Sequence, residues 1–279
     1  MPTPGKSLVG FMDRQLAIQY LRNSCAYDQS FDDAALDAIW QAAKAKLGAP
    51  TPKAGTPDIQ DIPASHSGYI ANLMSQQYLA DAWSTSLAGS ALKLVEIEPL
   101  LAFQFSVDNL RSDHHCTKLA TPPTLDELLE MCLPLVPPMD PVSVVQGPQS
   151  MLITSRSLNF RPLAQGFMAG GFVGMHVGMG LPLAHVVRLN GRCYLHNGFH
   201  RAYGARVAGA THLPCVFRDV PDAASAGIVA GSTFELPLLE SNDPPTLAHY
   251  TLDRAYDVDL RVMTRTIHVS WADYITPAA

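Results

Sequence analysis

An α/β (α+β) fold, a small mixed sheet with flanking helices, is what this chain predicts, and three observations carry that expectation. Residues 186–220 (VVRLNGRCYLHNGFHRAYGARVAGATHLPCVFRDV) run in the order strand, tight turn, strand, glycine bend, helix, strand. Asp32 to Leu47 combines helix formers with apolar residues at helical spacing. Val258 to Trp271 alternates apolar and polar side chains, the period of a half-buried strand.

Taken in order, Met1 to Gly48 reads as mainly helical, with Leu36, Ile39, Trp40, Ala43 and Leu47 forming one apolar stripe. Residues 49–64 are Pro-rich and read as a linker or meandering loop. A second helix is expected over Tyr69–Trp83, then a strand region over Leu92–Phe105. Leu125–Leu133 reads as a short helix after Pro122-Pro123, with Asp126 and Glu127 suiting its positive N-terminal end. Residues 134–148 are again Pro-rich and precede a strand near Met151–Thr154.

Leu163 to Ala184 contains no Asp, Glu, Lys or Arg and is long enough to cross a bilayer. Its many glycines, Gln165, His176 and Pro182 favour a buried helix packed closely on the sheet instead. Val186, Val187 and Leu189 then lead into Asn190-Gly191, the dipeptide whose tolerance of positive φ suits a two-residue hairpin turn. Cys193–His196 is the return strand, Gly198 opens an Ala-containing helix over Phe199–Ala208, and Gly209 stops it. Leu213–Phe217 reads as a buried strand. The alternating run near the C-terminus is expected to form a β-hairpin turning near Thr264-Arg265. Two regions result: a mainly helical 1–90, and a core over 91–279 with an insertion and the C-terminal strands.

Hydrophobic residues at 47% against 16% charged argue for a folded chain rather than a disordered one. A formal net charge of −6 argues against non-specific nucleic-acid binding, which needs clustered Lys and Arg. Five scattered cysteines without a CxxC pair suggest free thiols in a reducing, cytoplasmic setting. Met1 to Arg14 lacks the basic start and apolar stretch of a secretion signal, which points the same way.

The chemistry concentrates at Asn197-Gly198-Phe199-His200-Arg201. A helix N-terminus presents unpaired amides and positive dipole, and two basic side chains there make an anion site, most naturally for phosphate. His196 and His200 flank the bend and are expected to face one pocket. Asp113-His114-His115-Cys116 has metal-ligand chemistry but reads as a surface loop, since neighbouring residues on one segment diverge. No Walker loop, dinucleotide fingerprint or Ser-His-Asp elbow is present in the sequence.

The run from Gly180 to Val220 resembles the core motif of the ParB/sulfiredoxin-like superfamily. The matching residues are Gly180, Pro182, Val186, Asn190-Gly191, Tyr194, Gly198, His200, Arg201, Ala202, Ala205, Gly209, Pro214 and Val216. Leu94–Leu100 is similar to the family's opening strand, and a looser likeness extends from Leu92 to Val220 with a long insertion. The resemblance implies a nucleotide-binding fold whose helix N-terminus holds phosphates. Family activities include CTP hydrolysis, ATP-dependent sulfinic acid reduction and phosphorylation of free serine. Phe199 stands where sulfiredoxins carry their reactive cysteine, which excludes that activity. Nothing after Val220 reads as the helix-turn-helix of partition proteins.

These readings give three expectations. The first is a nucleotide-using enzyme, a hydrolase or phosphotransferase. ATP, ADP or CTP, with Mg2+, would sit over Asn197, Gly198, Phe199, His200 and Arg201. Glu98 would position a water or hydroxyl, and His200 would donate a hydrogen bond or a proton. Glu96 is an alternative base from the same strand, and Arg111 or Arg161 a second phosphate contact. The second is a non-catalytic, ligand-gated module that contacts a protein partner. The third, a DNA-associated partition-type CTPase, is opposed by the acidic charge. No membrane association is expected under any of them.

Overall fold

The computed structural model describes residues 2–27, 31–137, 140–157, 159–168, 172–229 and 231–273. The fold is mixed α/β, with several small open sheets, and the chain divides into two units: Met1–Leu135 with Leu183–Arg261, and Val136–Pro182 with Val262–Ala279. Residues 1–90 therefore belong to the same unit as the 186–220 motif. Among the described residues no helix is long and apolar enough to cross a membrane.

The first unit is built on a five-stranded sheet. Its strands are β2 (Ile59–Asp61), β3 (Ala91–Glu96), β9 (His185–Leu189), β10 (Arg192–Asn197) and β11 (His212–Asp219), in the order β10-β9-β11-β3-β2. As expected, β9 and β10 form a hairpin whose turn residues Asn190 and Gly191 take φ of 52° and 78°. Helix α7 (Phe199–Val207) then carries the chain over to β11, which runs parallel to β9 with Val216 opposite His185. Gly209 follows the helix at φ 99°. Val186, Val187, Tyr194, Leu195, Leu213, Cys215 and Val216 are fully or almost fully buried, and they form the centre of the core.

A second sheet in this unit orders β12-β1-β4, from β12 (Tyr256–Leu260), β1 (Thr3–Ser7) and β4 (Ser106–Asp108). Around the sheets lie α1 (Arg14–Ser24), α2 (Asp33–Lys46), α3 (Ser67–Met74), α4 (Gln77–Trp83), α5 (Asn109–Cys116), α6 (Leu125–Cys132), α8 (Leu236–Leu239) and α9 (Leu247–Thr251). α2 and α6 form where the periodicity places them. The Thr124 hydroxyl accepts from the Glu127 N–H, and the Glu127 carboxylate accepts from the Thr124 N–H. This reciprocal cap satisfies donors that the helix leaves open.

The second unit is all β where described. β5 (Val142–Gln146), β6 (Ser150–Ser155) and β13 (Arg265–Ser270) form a sheet ordered β13-β6-β5, while β7 (Phe160–Met168) and β8 (Phe172–Met179) form a separate antiparallel ribbon.

Several expectations are corrected. The buried helix over Leu163–Ala184 is instead largely the β7–β8 ribbon, with Arg161 opposite Gly178 and Gln165 opposite Met175. Each glycine in a helix interior costs about 1 kcal/mol relative to alanine, so this Gly-rich run resists helix formation. The register shifts between Pro162 and Ala164, where proline has no N–H to give the ladder. Two strands do form near the C-terminus, but not as a hairpin: β12 pairs with β1 and β13 with β6. Met1–Gly48 is not uniformly helical, because Thr3–Ser7 fills the space between β12 and β4 as a strand. The helix expected over Tyr69–Trp83 is two, interrupted at Ser75-Gln76. Asp113–Cys116 is not a loop but the end of α5, whose first turn is capped by Asp108 accepting from the Arg111 N–H. The 49–64 segment does meander until the short strand β2, and it is docked on the core: the Gly55 N–H donates to Pro99 O at 2.7 Å, and its carbonyl accepts from the Cys193 N–H at 2.8 Å.

Candidate functional site

The bend begins at Gly198, which caps α7 at φ 97°. A Cβ there would sit 3.3 Å from both Cα and Cβ of Ala184, so both conformation and space favour glycine. Asn197 turns inward, its amide donating to Leu183 O at 2.9 Å. Phe199 is buried and meets Phe103 edge to face, with ring centroids 5.5 Å apart. These side chains lock the bend from below. The amides of Phe199 and His200 have no acceptor among the described residues, as expected for a helix's first turn.

The two basic side chains of the bend part company. Arg201 is only 8% exposed, and its Nη1 donates to Met131 O and Cys132 O, each at 3.4 Å. These carbonyls end α6 and have no partner further along the helix, so the guanidinium serves as a C-terminal cap. Burial lowers the Arg201 pKa, without removing a charge that sits so far above neutrality.

His200 faces α5 instead. Burial pushes its pKa down to about 4, with the nearby Arg111, His115 and Arg201 adding to the effect and Asp108 opposing it. The first turns of α5 and α7 thus meet around a neutral imidazole. Arg111 lies beside its own cap, Nε 3.7 Å from Asp108 Oδ2, and that carboxylate also accepts from the Thr3 hydroxyl at 3.1 Å. The helices approach closely because Gly204 faces Cys116: a Cβ on Gly204 would collide with Cys116 Sγ and lie 3.3 Å from Ser112 O.

Glu98 and His200 are not brought together. Glu98 pairs with Arg206 in the last turn of α7, accepting from its Nε at 2.9 Å and from Nη2. His200 lies at the other end of that helix, about 9 Å away at 1.5 Å of rise per residue. Glu96 is occupied too, accepting from the Asp58 N–H at 3.0 Å. His196 and His200 face different neighbours: the His196 ring stacks edge-on to His185 at 4.9 Å, and its Nδ1 lies 2.9 Å from Ala226 O. Of the two arginines considered as a second phosphate contact, Arg111 adjoins His200, while Arg161 belongs to the other unit.

Among the described residues no group of three or more His, Cys, Asp or Glu side chains is arranged to hold a metal. Magnesium carried by nucleotide phosphates would not require one. The cap that Arg201 gives α6 has no local sequence signal, since its acceptors lie about seventy residues earlier. Arg111 and Asp108 carry a better signal, an acidic cap followed three residues later by arginine. In comparisons with known proteins the chain matches no family model, no curated protein and no solved structure.

Proposed function

We propose that this protein binds a phosphate-bearing small molecule, a nucleotide first, where the opening turns of α5 and α7 meet. The observation that supports this reading is His200, a neutral imidazole set between the two first turns beside Arg111. The open amides of Phe199 and His200 would donate to phosphate oxygens, the imidazole would donate one hydrogen bond, and Arg111 would add charge from the rim. Asp108 works against an anion, but its charge is partly spent on Thr3, Arg111 and the α5 cap. An arriving phosphate favours the protonated imidazole, so binding raises the His200 pKa from about 4 and strengthens as pH falls towards that value.

This is a binding function in the first place, with a ligand-gated module as its form. Glu98 stands at the far end of α7 in an ion pair, so hydrolysis or phosphoryl transfer would need another base. Calorimetric titration with ATP, ADP and CTP, each with magnesium, tests the reading. At least one nucleotide should bind, Arg111→Ala and His200→Ala should each weaken it about tenfold or more, and Glu98→Gln should leave it unchanged. Absence of binding by all three, or an Arg111→Ala variant that binds as well as the parent, would rule it out.

A further inference from the structure

The second unit has one apolar sheet face that runs to an open edge. In register across its sheet, Val144 lies opposite Ile153, and Ile153 opposite Ile267. Val142, Met151 and Val269 share that face, with Gln146, Ser155 and Arg265 beside the central row, because residues two apart point the same way. The middle of the row is covered, with Ile153 5% exposed, but Val144 at its end is 58% exposed. Nine of the fourteen exposed large apolar side chains among the described residues fall in this unit, although it holds under a quarter of the chain.

The two edges of the sheet differ. β13 carries Arg265 and His268, polar side chains that discourage pairing with another chain. β5, Val-Ser-Val-Val-Gln, carries no charge, and none occurs anywhere from Pro141 to Ser155. Its β-branched residues favour strand pairing, and every one of its five positions is exposed. An uncharged edge gives a charged peptide nothing to select, whereas it meets an identical edge without like-charge repulsion.

We propose that two copies of this chain associate by antiparallel pairing of their β5 edges about a two-fold axis at Val144. Val144 then faces Val144 of the second copy, Ser143 faces Val145, and Val142 faces Gln146. The apolar row continues unbroken through six strands, from Ile267 of one copy to Ile267 of the other. Pro141 and Pro148, which cannot donate to a ladder, bracket the strand and limit the pairing to its five residues. A two-fold contact of this kind uses up the open edge and leaves the charged β13 edges outermost, so it closes at a dimer. A strand about 17 Å long buries an area at the low end for specific interfaces, below about 1,200 Å2 in total, so the association is weak and concentration-dependent.

Sedimentation of the full chain between about 1 and 200 μM tests this, a range in which a weak dimer dissociates and reforms. The mass should rise from one protomer towards two, and Val144→Lys should hold the protein monomeric with its thermal melting unchanged. Val144→Cys should form an intermolecular disulfide under mild oxidation, because directly opposed Cβ atoms lie about 5 Å apart. Ser143→Cys, set opposite Val145 rather than itself, and Val207→Cys in the other unit should not. A monomer at every concentration, a dimer that Val144→Lys leaves intact, or a Val144→Cys protein that fails to cross-link would each overturn the proposal.

Discussion

The guanidinium of Arg201 lies against the last carbonyls of α6, while His200, one residue earlier, lies against the first turn of α5. Adjacent helix residues point about 100° apart, so a Gly-x-His-Arg string delivers its two basic groups to different neighbours. A phosphate-contacting arginine and a capping arginine make opposite predictions. Arg201→Ala takes a donor from Met131 O, while Cys132 O keeps the Ala184 N–H at 2.8 Å, and it leaves space where a long side chain packed. The expected cost is about 3 kcal/mol of folding stability, read from urea unfolding. Nucleotide affinity of the protein that remains folded should change less than twofold. A large loss of affinity at unchanged stability would return Arg201 to the ligand site.

At the scale of elements, local signals were legible and partnerships were not. The β9–β10 hairpin, the Gly198 bend, α7 and β11 could be read because each is specified by residues within a few positions of itself. Asn190-Gly191 sets the turn, and Gly198 occupies a conformation that other residues adopt at a cost. The β7–β8 ribbon resists reading from sequence because glycines four apart, Gly170, Gly174 and Gly178, mimic a helix-packing stripe, while opposing pairs such as Gly174 with Gly166 become visible only once the strands are paired. β12 and β13 announce themselves as strands by alternation, but alternation names no partner. The same limit hid the α5–α7 contact, which depends on the space left by Gly204. Gly204→Ala should destabilise the protein by roughly 1–3 kcal/mol, since the new methyl meets Cys116 Sγ and the backbone of Ser112. Cys116→Ala removes that sulfur, so the double variant should recover part of the loss. Strict additivity of the two changes in a double-mutant cycle would show that the helices do not meet there.

Across the whole molecule, three histidines from three different elements are held neutral by the fold. Burial pushes His185 of β9 down to about 3, with His196 and Arg218 adding to the effect, and His249 of α9 down to about 4, with Arg254 adding. His200 of α7 also falls to about 4. Their unfolded values lie near 6.5, so between that value and about 4 the unfolded chain binds protons that the folded chain refuses. Stability is then complete above neutral pH and falls as the solution is acidified through this window. His249 has 0% exposure, and by linkage it alone accounts for about 2 kcal/mol of loss at pH 5. The carboxylates act lower. Asp219, held down by Arg188, and Asp222 and Glu127, held down by hydrogen bonds, stay charged in the fold, and their contribution is lost only below about pH 4. Urea midpoints at pH 7.5 and pH 5 should therefore differ clearly, before any carboxylate responds. His249→Gln keeps an acceptor for the Thr246 N–H, which donates to His249 Nδ1 at 3.1 Å, but has no proton to gain. It should lower stability at pH 7.5 yet flatten the pH dependence by about that same 2 kcal/mol. An unchanged slope in this variant would mean that acid acts on the fold through other groups.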